Sequence, residues 1–318
     1  MHYRTLSCLA ATIVLSTLAV GQELLDRPQQ LNTTNQNVRE SYETADFKRV
    51  VTRVEELAAK YSGEQVLVVV DIDNTLLAMN QDLGSDQWFN WQYKLLNDEP
   101  QSPDLVAKTF PGLLEVQGTL FALSKMHPPE PELPDFMGKI QALQVTTVVL
   151  TSRGFNYRDA SERALASNGY ELAKTALKID EQRGLFMPFD PAQPNAHGLN
   201  QAIIDRIKPS LRQVTYSNGI YMTAGQHKGY MLRTLLARAV PAKPGDAKPT
   251  FKAIVFVDDH MKHTTSMHEA HEGMPLDVIT FRYSREDGNV DNFADSSKHH
   301  VIEDWERLRN FVDGVLVK

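Results

Sequence analysis

Three short runs of consecutive apolar residues stand out along this chain, and each is followed at once by polar residues. Val66-Leu67-Val68-Val69-Val70 leads into Asp71-Ile72-Asp73-Asn74-Thr75. Val145 to Leu150 leads into Thr151-Ser152-Arg153-Gly154, and Ala253 to Val257 leads into Asp258-Asp259. Continuous, β-branched runs of this length predict strands of a parallel sheet covered on both faces. Val278 to Phe281 offers a fourth strand. Between the runs the period changes to that of a helix. Phe47, Val50, Val51, Val54, Leu57 and Ala58 predict a helix from about Glu43 to Tyr61, ended by Ser62-Gly63. Other helices are expected over Arg158 to Ser167, closed by Asn168-Gly169, and after Gly225 to Gly229, with Met231, Leu232, Leu235 and Leu236 on one face. A terminal helix is expected over Trp305 to Val312. Val214 to Met222 reads as a hairpin turning at Asn218-Gly219.

Residues 81–136 break the alternation of strands and helices. Trp88, Phe89, Trp91 and Tyr93 cluster there, helical stretches follow over Leu105 to Lys108 and Leu113 to Lys125, and Pro128 to Pro134 holds four prolines. This predicts an inserted, mainly helical cap with a stiff return linker. The aromatic group is expected to form the core of the cap, with one ring free to face a ligand. Residues 170–213 are longer than a minimal core needs, which leaves room for a second accessory insertion.

The N-terminus has a different pattern. Apolar Leu6 to Val20 follows His2 and Arg4, and Ala19-Val20-Gly21 places small residues where an export peptidase cuts. Residues 1–21 are therefore expected to be a signal peptide and residues 22–42, rich in Gln and Asn, a mobile lead-in. Export to the periplasm or outside the cell follows, with no stable membrane anchor after processing. The single cysteine, Cys8, falls in the segment removed, so the mature chain would form no disulfide. The chain has 318 residues, 42% hydrophobic and 23% charged, with a formal net charge of −7. That is ample for a packed core, and the acidic balance argues against nucleic acid as a partner.

All three apolar runs end in residues that do chemistry, at the carboxyl edge where open parallel sheets bind ligands. Asp71 and Asp73 flank one residue, so a bend at Ile72–Asp73 can give them separate roles, one attacking phosphorus and the other moving protons. Alone, an Asp-x-Asp-Asn sequence is equally an ordinary solvated turn. Thr151 adds a hydroxyl, Lys228 a cation, and Asp258 a third carboxylate suited to a hard divalent ion. Arg153 is open to two readings: a fork for a second anionic group of a substrate, or a structural ion pair. His260, His263, His268 and His271 are open to two readings, imidazoles for a transition metal or exposed histidines on a polar helix or loop; the second is expected, because density in sequence does not fix ligand geometry, with His260 close enough to touch the site.

Asp71-Ile72-Asp73-Asn74-Thr75, Thr151, Lys228 and Asp258-Asp259, in this order, resemble the four motifs of the haloacid dehalogenase superfamily. The resemblance runs from about Val66 to the C-terminus. Gly84 to Gln92, Ser217 to Ile220 and His227-Lys228-Gly229 resemble a secreted branch related to bacterial acid phosphatases. It implies an α/β fold: a three-layer, Rossmann-like core with a central, mainly parallel sheet over residues 43–80 and 137–318, carrying the cap at 81–136. It also implies a Mg2+-dependent phosphomonoester hydrolase acting on a small phosphate ester. Asp71 would form an aspartyl-phosphate, Asp73 would be the general acid/base, and Lys228 would neutralise charge. Thr151, with Ser152, Arg153 and Lys228, would bind the phosphoryl group and substrate. Asp71, Asp73 (through its carbonyl), Asp258 and Asp259 would surround the metal. Asp73 suits attack by water on a phosphoryl enzyme better than chemistry at carbon. A phosphotransferase or mutase, and a non-catalytic exported phospholigand-binding protein, are the alternatives.

Overall fold

The computed structural model describes residues 29–30, 37–180, 184–241 and 245–315. The expected signal peptide lies outside them. Strands are β1 (Gln29–Gln30), β2 (Arg39–Thr44), β3 (Val66–Val70), β4 (Ala78–Met79), β5 (Met126–His127), β6 (Thr146–Thr151), β7 (Leu185–Phe186), β8 (Val214–Ser217), β9 (Ile220–Met222), β10 (Ala253–Asp258) and β11 (Asp277–Tyr283). Helices are α1 (Lys48–Tyr61), α2 (Asp86–Asp98), α3 (Phe110–Leu123), α4 (Leu133–Ala142), α5 (Arg158–Ser167), α6 (Gln201–Ile207), α7 (Lys228–Ala237), α8 (Met261–Ala270), α9 (Asp287–Asp295) and α10 (His299–Val315).

The main sheet runs β1-β2-β11-β10-β3-β6-β9-β8-β7. The six strands from β2 to β9 pair in parallel, while β1, β8 and β7 pair antiparallel at the two ends. The side-chain period of two divides each central strand between two cores. Val66, Val68 and Val70 face α1, α4 and α5, and pack with Val54, Leu57, Met137, Ile140 and Leu165. Leu67 and Val69 face the other way, toward Met231, Leu235 and Met267 of α7 and α8. The sheet therefore lies between two helical layers, and the fold is the three-layer α/β arrangement expected.

Register brings the chemistry together. Val70 pairs with Val257 on one side and Val149 on the other. Asp71 and Asp258 are thus level with each other, one residue beyond these partners. After β3 the chain builds outward through β6 and β9, then crosses back to β10 on the opposite side of β3. Asp71 and Asp258 consequently flank the point where strand order reverses, where the carboxyl ends of the strands leave a crevice. The Asn218-Gly219 hairpin forms as expected, with φ of 51° and 82°, the two positive values a two-residue turn of this type needs.

Several expectations are corrected. Helix α1 starts at Lys48, because Arg39–Thr44 is a strand beside β11. This also takes residues 39–42 out of the expected mobile lead-in. Its polar sequence hid it: it is held by the backbone ladder, by Val38 N donating to Asp277 Oδ1 at 2.7 Å, and by the Arg39 guanidinium on the carbonyls of His271, Met274 and Leu276. The insertion is narrower than 81–136. Ala78–Met79 and Met126–His127 pair as a two-stranded stem, and the prolines lead into α4, a core helix with Pro134 in its first turn. Leu133, Met137 and Ile140 form its buried stripe. Residues 105–108 are irregular rather than helical. Trp88, Leu113 and Leu120 of the insertion pack with Phe293 and Val301 of α9 and α10, so the aromatic core of the insertion is shared with the C-terminal helices. Residues 170–213 supply edge strand β7 and helix α6, and bury Leu177, Ile179 and Phe189 on the second face.

Candidate active site

Asp71 sits on the first residue past β3, where its N–H still donates to Val257 O at 3.0 Å. That bond extends the ladder by one residue and fixes the direction of the carboxylate. Lys228 opens α7, and its Nζ lies 2.7 Å from Asp71 Oδ1 and 2.6 Å from Asp258 Oδ2, with its side chain only 1% exposed. A cation in the first turn of a helix opposes the helix dipole, so the two carboxylates are what hold it there. Close packing sets its position. A Cβ on Gly229 would come within 2.4 Å of Ser266 O and 2.6 Å of Ala270 Cβ, so only glycine lets α7 lie this close to α8.

Asp258 is fully buried. Its Oδ2 takes Lys228, and its Oδ1 meets the His260 N–H and His263 Nδ1, both at 2.9 Å. Burial alone would raise its pKa, but Lys228 and His263 outweigh burial and hold it at about 2. Asp71 is driven the other way. Burial pushes it up, Lys228 pulls back, and the charges of Asp258 and Asp73 add to the rise, leaving it at about 7. Burial and the neighbouring Asp258 also hold Asp259 well above the usual carboxylate range.

The bend at Ile72–Asp73 separates the paired aspartates. The Leu76 and Leu77 N–H groups both donate to Ile72 O at 2.9 Å, and Asn74 takes a positive φ of 53°. Asp73 turns away from Lys228 to Arg153, which meets it with both arms of the fork: Nη2 to Oδ1 at 2.7 Å and Nε to Oδ2 at 3.0 Å. Nη1 donates to Ser161 Oγ at 2.7 Å, and the guanidinium lies 3.9 Å from the centre of the Phe121 ring of α3. Arg153 is thus the structural ion pair of its two readings. Its side chain is 3% exposed and committed to Asp73, not free to grip a substrate. Thr151 is buried, and its hydroxyl accepts from Arg153 N at 3.1 Å, which leaves the hydroxyl proton to donate elsewhere. Ser152 is exposed, with its carbonyl accepting from Gly225 N at 2.9 Å.

Charge balance shows what the site lacks. Asp73 and Arg153 neutralise one another. Asp71, Asp258 and Asp259 remain, with Lys228 as the one buried cation among them. If all three ionise, their charge exceeds that of Lys228 by two, offset in part by the half-exposed His260 beside Asp259, and such an excess in a buried site is costly unless the carboxyls protonate or a further cation enters. Each of the three carboxylates offers an oxygen within 4.8 Å of the others. Asp259 Oδ1 is buried with no hydrogen-bond partner. Oxygen donors, an excess of carboxylate charge and an orphaned buried oxygen together fit a hard divalent ion.

The histidines correct the expectation of exposure. His271 is fully buried and His268 partly buried, and burial lowers both to about 4. His263 supports Asp258, a role that its spacing of five residues from that aspartate could have suggested, since β10 turns directly into α8. His260 lies 3.4 Å from Asp86 and 3.8 Å from Asp259; contact with Asp86, against some burial, raises it to about 9. Asp86 stood in the Gly84 to Gln92 stretch with no role assigned to it, and Ser161 carried no signal in the sequence. Asp86 comes from the insertion, and Ser161 is an ordinary helix residue until the fold places it under Arg153.

A family model described as a protein of unknown function (DUF2608) matches residues 43–315. The chain belongs to this family. The match spans β3, β6, α7 and β10, so every residue of the candidate site falls within the family region. No curated protein matches the sequence.

The shifted carboxyls make stability a reporter of metal binding. Asp71 is raised when folded, so its contribution is complete below the unfolded value of about 4 and is lost as pH climbs through about 7. Asp258 is lowered, so its contribution is present above about 4 and is lost as pH falls toward about 2. Asp71 alone would lower the melting temperature of metal-free protein between about pH 5 and pH 8, while His268 and His271, kept neutral by burial, act in the opposite direction over the same range. The metal gives the clean reading: Mg2+ should raise the melting temperature more at the higher pH, where Asp71 is ionised. Equal stabilisation at both pH values would show that these carboxyls do not bind the ion.

Proposed function

We propose that this protein is a divalent-metal-dependent phosphohydrolase of the haloacid dehalogenase type, acting on small phosphate monoesters through Asp71. The observation that carries the reading is the buried Asp71–Lys228–Asp258 cluster at the reversal of strand order, which with Asp259 holds more carboxylate charge than its one lysine balances. Asp71, Asp258 and Asp259 would hold Mg2+, which when bound supplies charge that offsets a phosphoryl group and its transition state.

The chain's own groups do the rest. Asp71 is rigidly aimed, and its carboxylate, once ionised, attacks phosphorus to form an aspartyl-phosphate. Lys228 stays charged, because Asp258 and Asp71 raise it despite burial, and stabilises negative charge on the transferring oxygens. The Thr151 hydroxyl donates to one of those oxygens. Asp73, once it has taken up a proton from solvent, gives it to the leaving oxygen, and as the carboxylate so regenerated it then takes a proton from the attacking water. Arg153 holds Asp73 in a set orientation beneath the insertion. The signal-like sequence of residues 1–21 supports export of the chain.

Turnover of p-nitrophenyl phosphate by the purified protein tests this directly. Release of p-nitrophenol that requires Mg2+ and stops on chelation is the expected result. Tight binding of phosphate esters with no hydrolysis under any divalent ion would overturn it in favour of a non-catalytic binding protein.

A further inference from the structure

A second set of metal-ligating atoms adjoins the first. Asp86, from the first turn of α2 in the insertion, and Asp259 and His260, just past β10, each offer a ligand atom within 4.8 Å of the others. His260 Nε2 stands 3.4 Å from Asp86 Oδ2 and 3.8 Å from Asp259 Oδ2. These separations are long for hydrogen bonds. They are near the spacing of about 3.4 Å that ligands take around a tetrahedral ion with bonds of about 2.0–2.1 Å.

Asp259 belongs to both sets. Its side chain is 10% exposed, Oδ2 faces His260, and Oδ1 is buried with no hydrogen-bond partner. A carboxylate so placed can give one oxygen to each of two ions, the arrangement of two-metal sites with ions about 3.5–4 Å apart. The second set also has an entrance. Asp86, Asp259 and His260 line a cavity of about 400 Å³ beside Asn74, Trp91 and Phe293, with room for water ligands and for the leaving group of a substrate.

We infer that Asp86, Asp259 and His260 form a second divalent-metal site, bridged through Asp259 to the ion proposed at Asp71 and Asp258. Its imidazole ligand favours a transition ion such as Zn2+, the all-oxygen set beside it suits Mg2+, and Mn2+, which accepts both oxygen and imidazole ligands, is the probe able to fill both. Because Asp86 is carried by the insertion and the other two ligands by the core, the second ion ties the insertion to the mouth of the site. The inference rests on the proposed catalytic ion to the extent that Asp259 is shared.

Mn2+ binding to the chelator-treated full chain, followed by calorimetry and by electron paramagnetic resonance, is the test. Wild type should bind two Mn2+ ions per chain and show the broadened spectrum of a coupled pair. His260→Ala and Asp86→Asn should each bind one, with an uncoupled signal. Asp86 is partly exposed, so its variant keeps the test valid if the loss of His260 disturbs folding. One ion per chain in all three proteins would overturn the second site, and would make the Asp86–His260 contact an ion pair joining insertion to core. The two readings fail differently. Two bound ions without ester turnover would remove the phosphatase and keep the paired site, whereas turnover with one bound ion would do the reverse.

Discussion

Asp71→Asn should abolish phosphate-ester turnover while leaving the protein folded. The substitution keeps the shape of the side chain but removes the attacking charge, and loss of a covalent nucleophile costs on the order of 10⁴-fold or more in kcat. Stability should move the other way. At alkaline pH the metal-free wild-type site holds more carboxylate charge than Lys228 and His260 balance, and Asn removes one of those charges. At about pH 8, where Asp71 is ionised in the folded chain, the metal-free variant should melt at or above the wild-type temperature. Kinetics with p-nitrophenyl phosphate and a thermal melt on the same preparations check both halves. Residual activity near wild type in a folded variant would end the assignment of Asp71 as nucleophile.

Lys228→Met should have the largest effect on stability. The lysine is fully buried between Asp71 and Asp258, and removal of one partner from a buried ionic cluster costs about 3–5 kcal/mol. Methionine has similar volume, so the loss comes from the two stranded carboxylates and not from a cavity. Activity should fall as well, because the charge facing the phosphoryl oxygens is gone. A denaturant titration measures the first effect and steady-state kinetics the second. The double variant Asp71→Asn with Lys228→Met gives the sharper reading. It should be less destabilised than Lys228→Met alone, since one stranded charge has been removed; additive losses would show that the pair does not interact as drawn.

These two predictions concern residues that the sequence marked in advance, and the reason is local. An apolar strand in a parallel sheet must be covered on both faces, so it reads as a continuous run, and the polar residue that ends it is conspicuous. Asp71, Thr151 and Asp258 were legible for this reason. Arg39–Thr44 was not, because an outer strand held by backbone bonds and by a guanidinium on carbonyls needs no apolar pattern. The insertion's boundary was misplaced for a related reason: prolines break chains, but they also start helices, and only the packing of Leu133, Met137 and Ile140 shows which occurred.

The sequence by itself determined the α/β class, the central strands, the Asn218-Gly219 turn and the four polar stations that converge. Those features follow from periodicity and turn chemistry within a few residues of one another. Only the tertiary structure decided how the stations divide their work. It sent Asp71 to Lys228 and Asp73 to Arg153, put His263 behind Asp258, and brought Asp86 from the insertion to His260. Each of these pairings joins elements distant in the chain, through the register of β3 with β10 and the close approach of α7 to α8. Their energies depend on burial and on distances of a few ångströms, which neighbours in sequence do not specify.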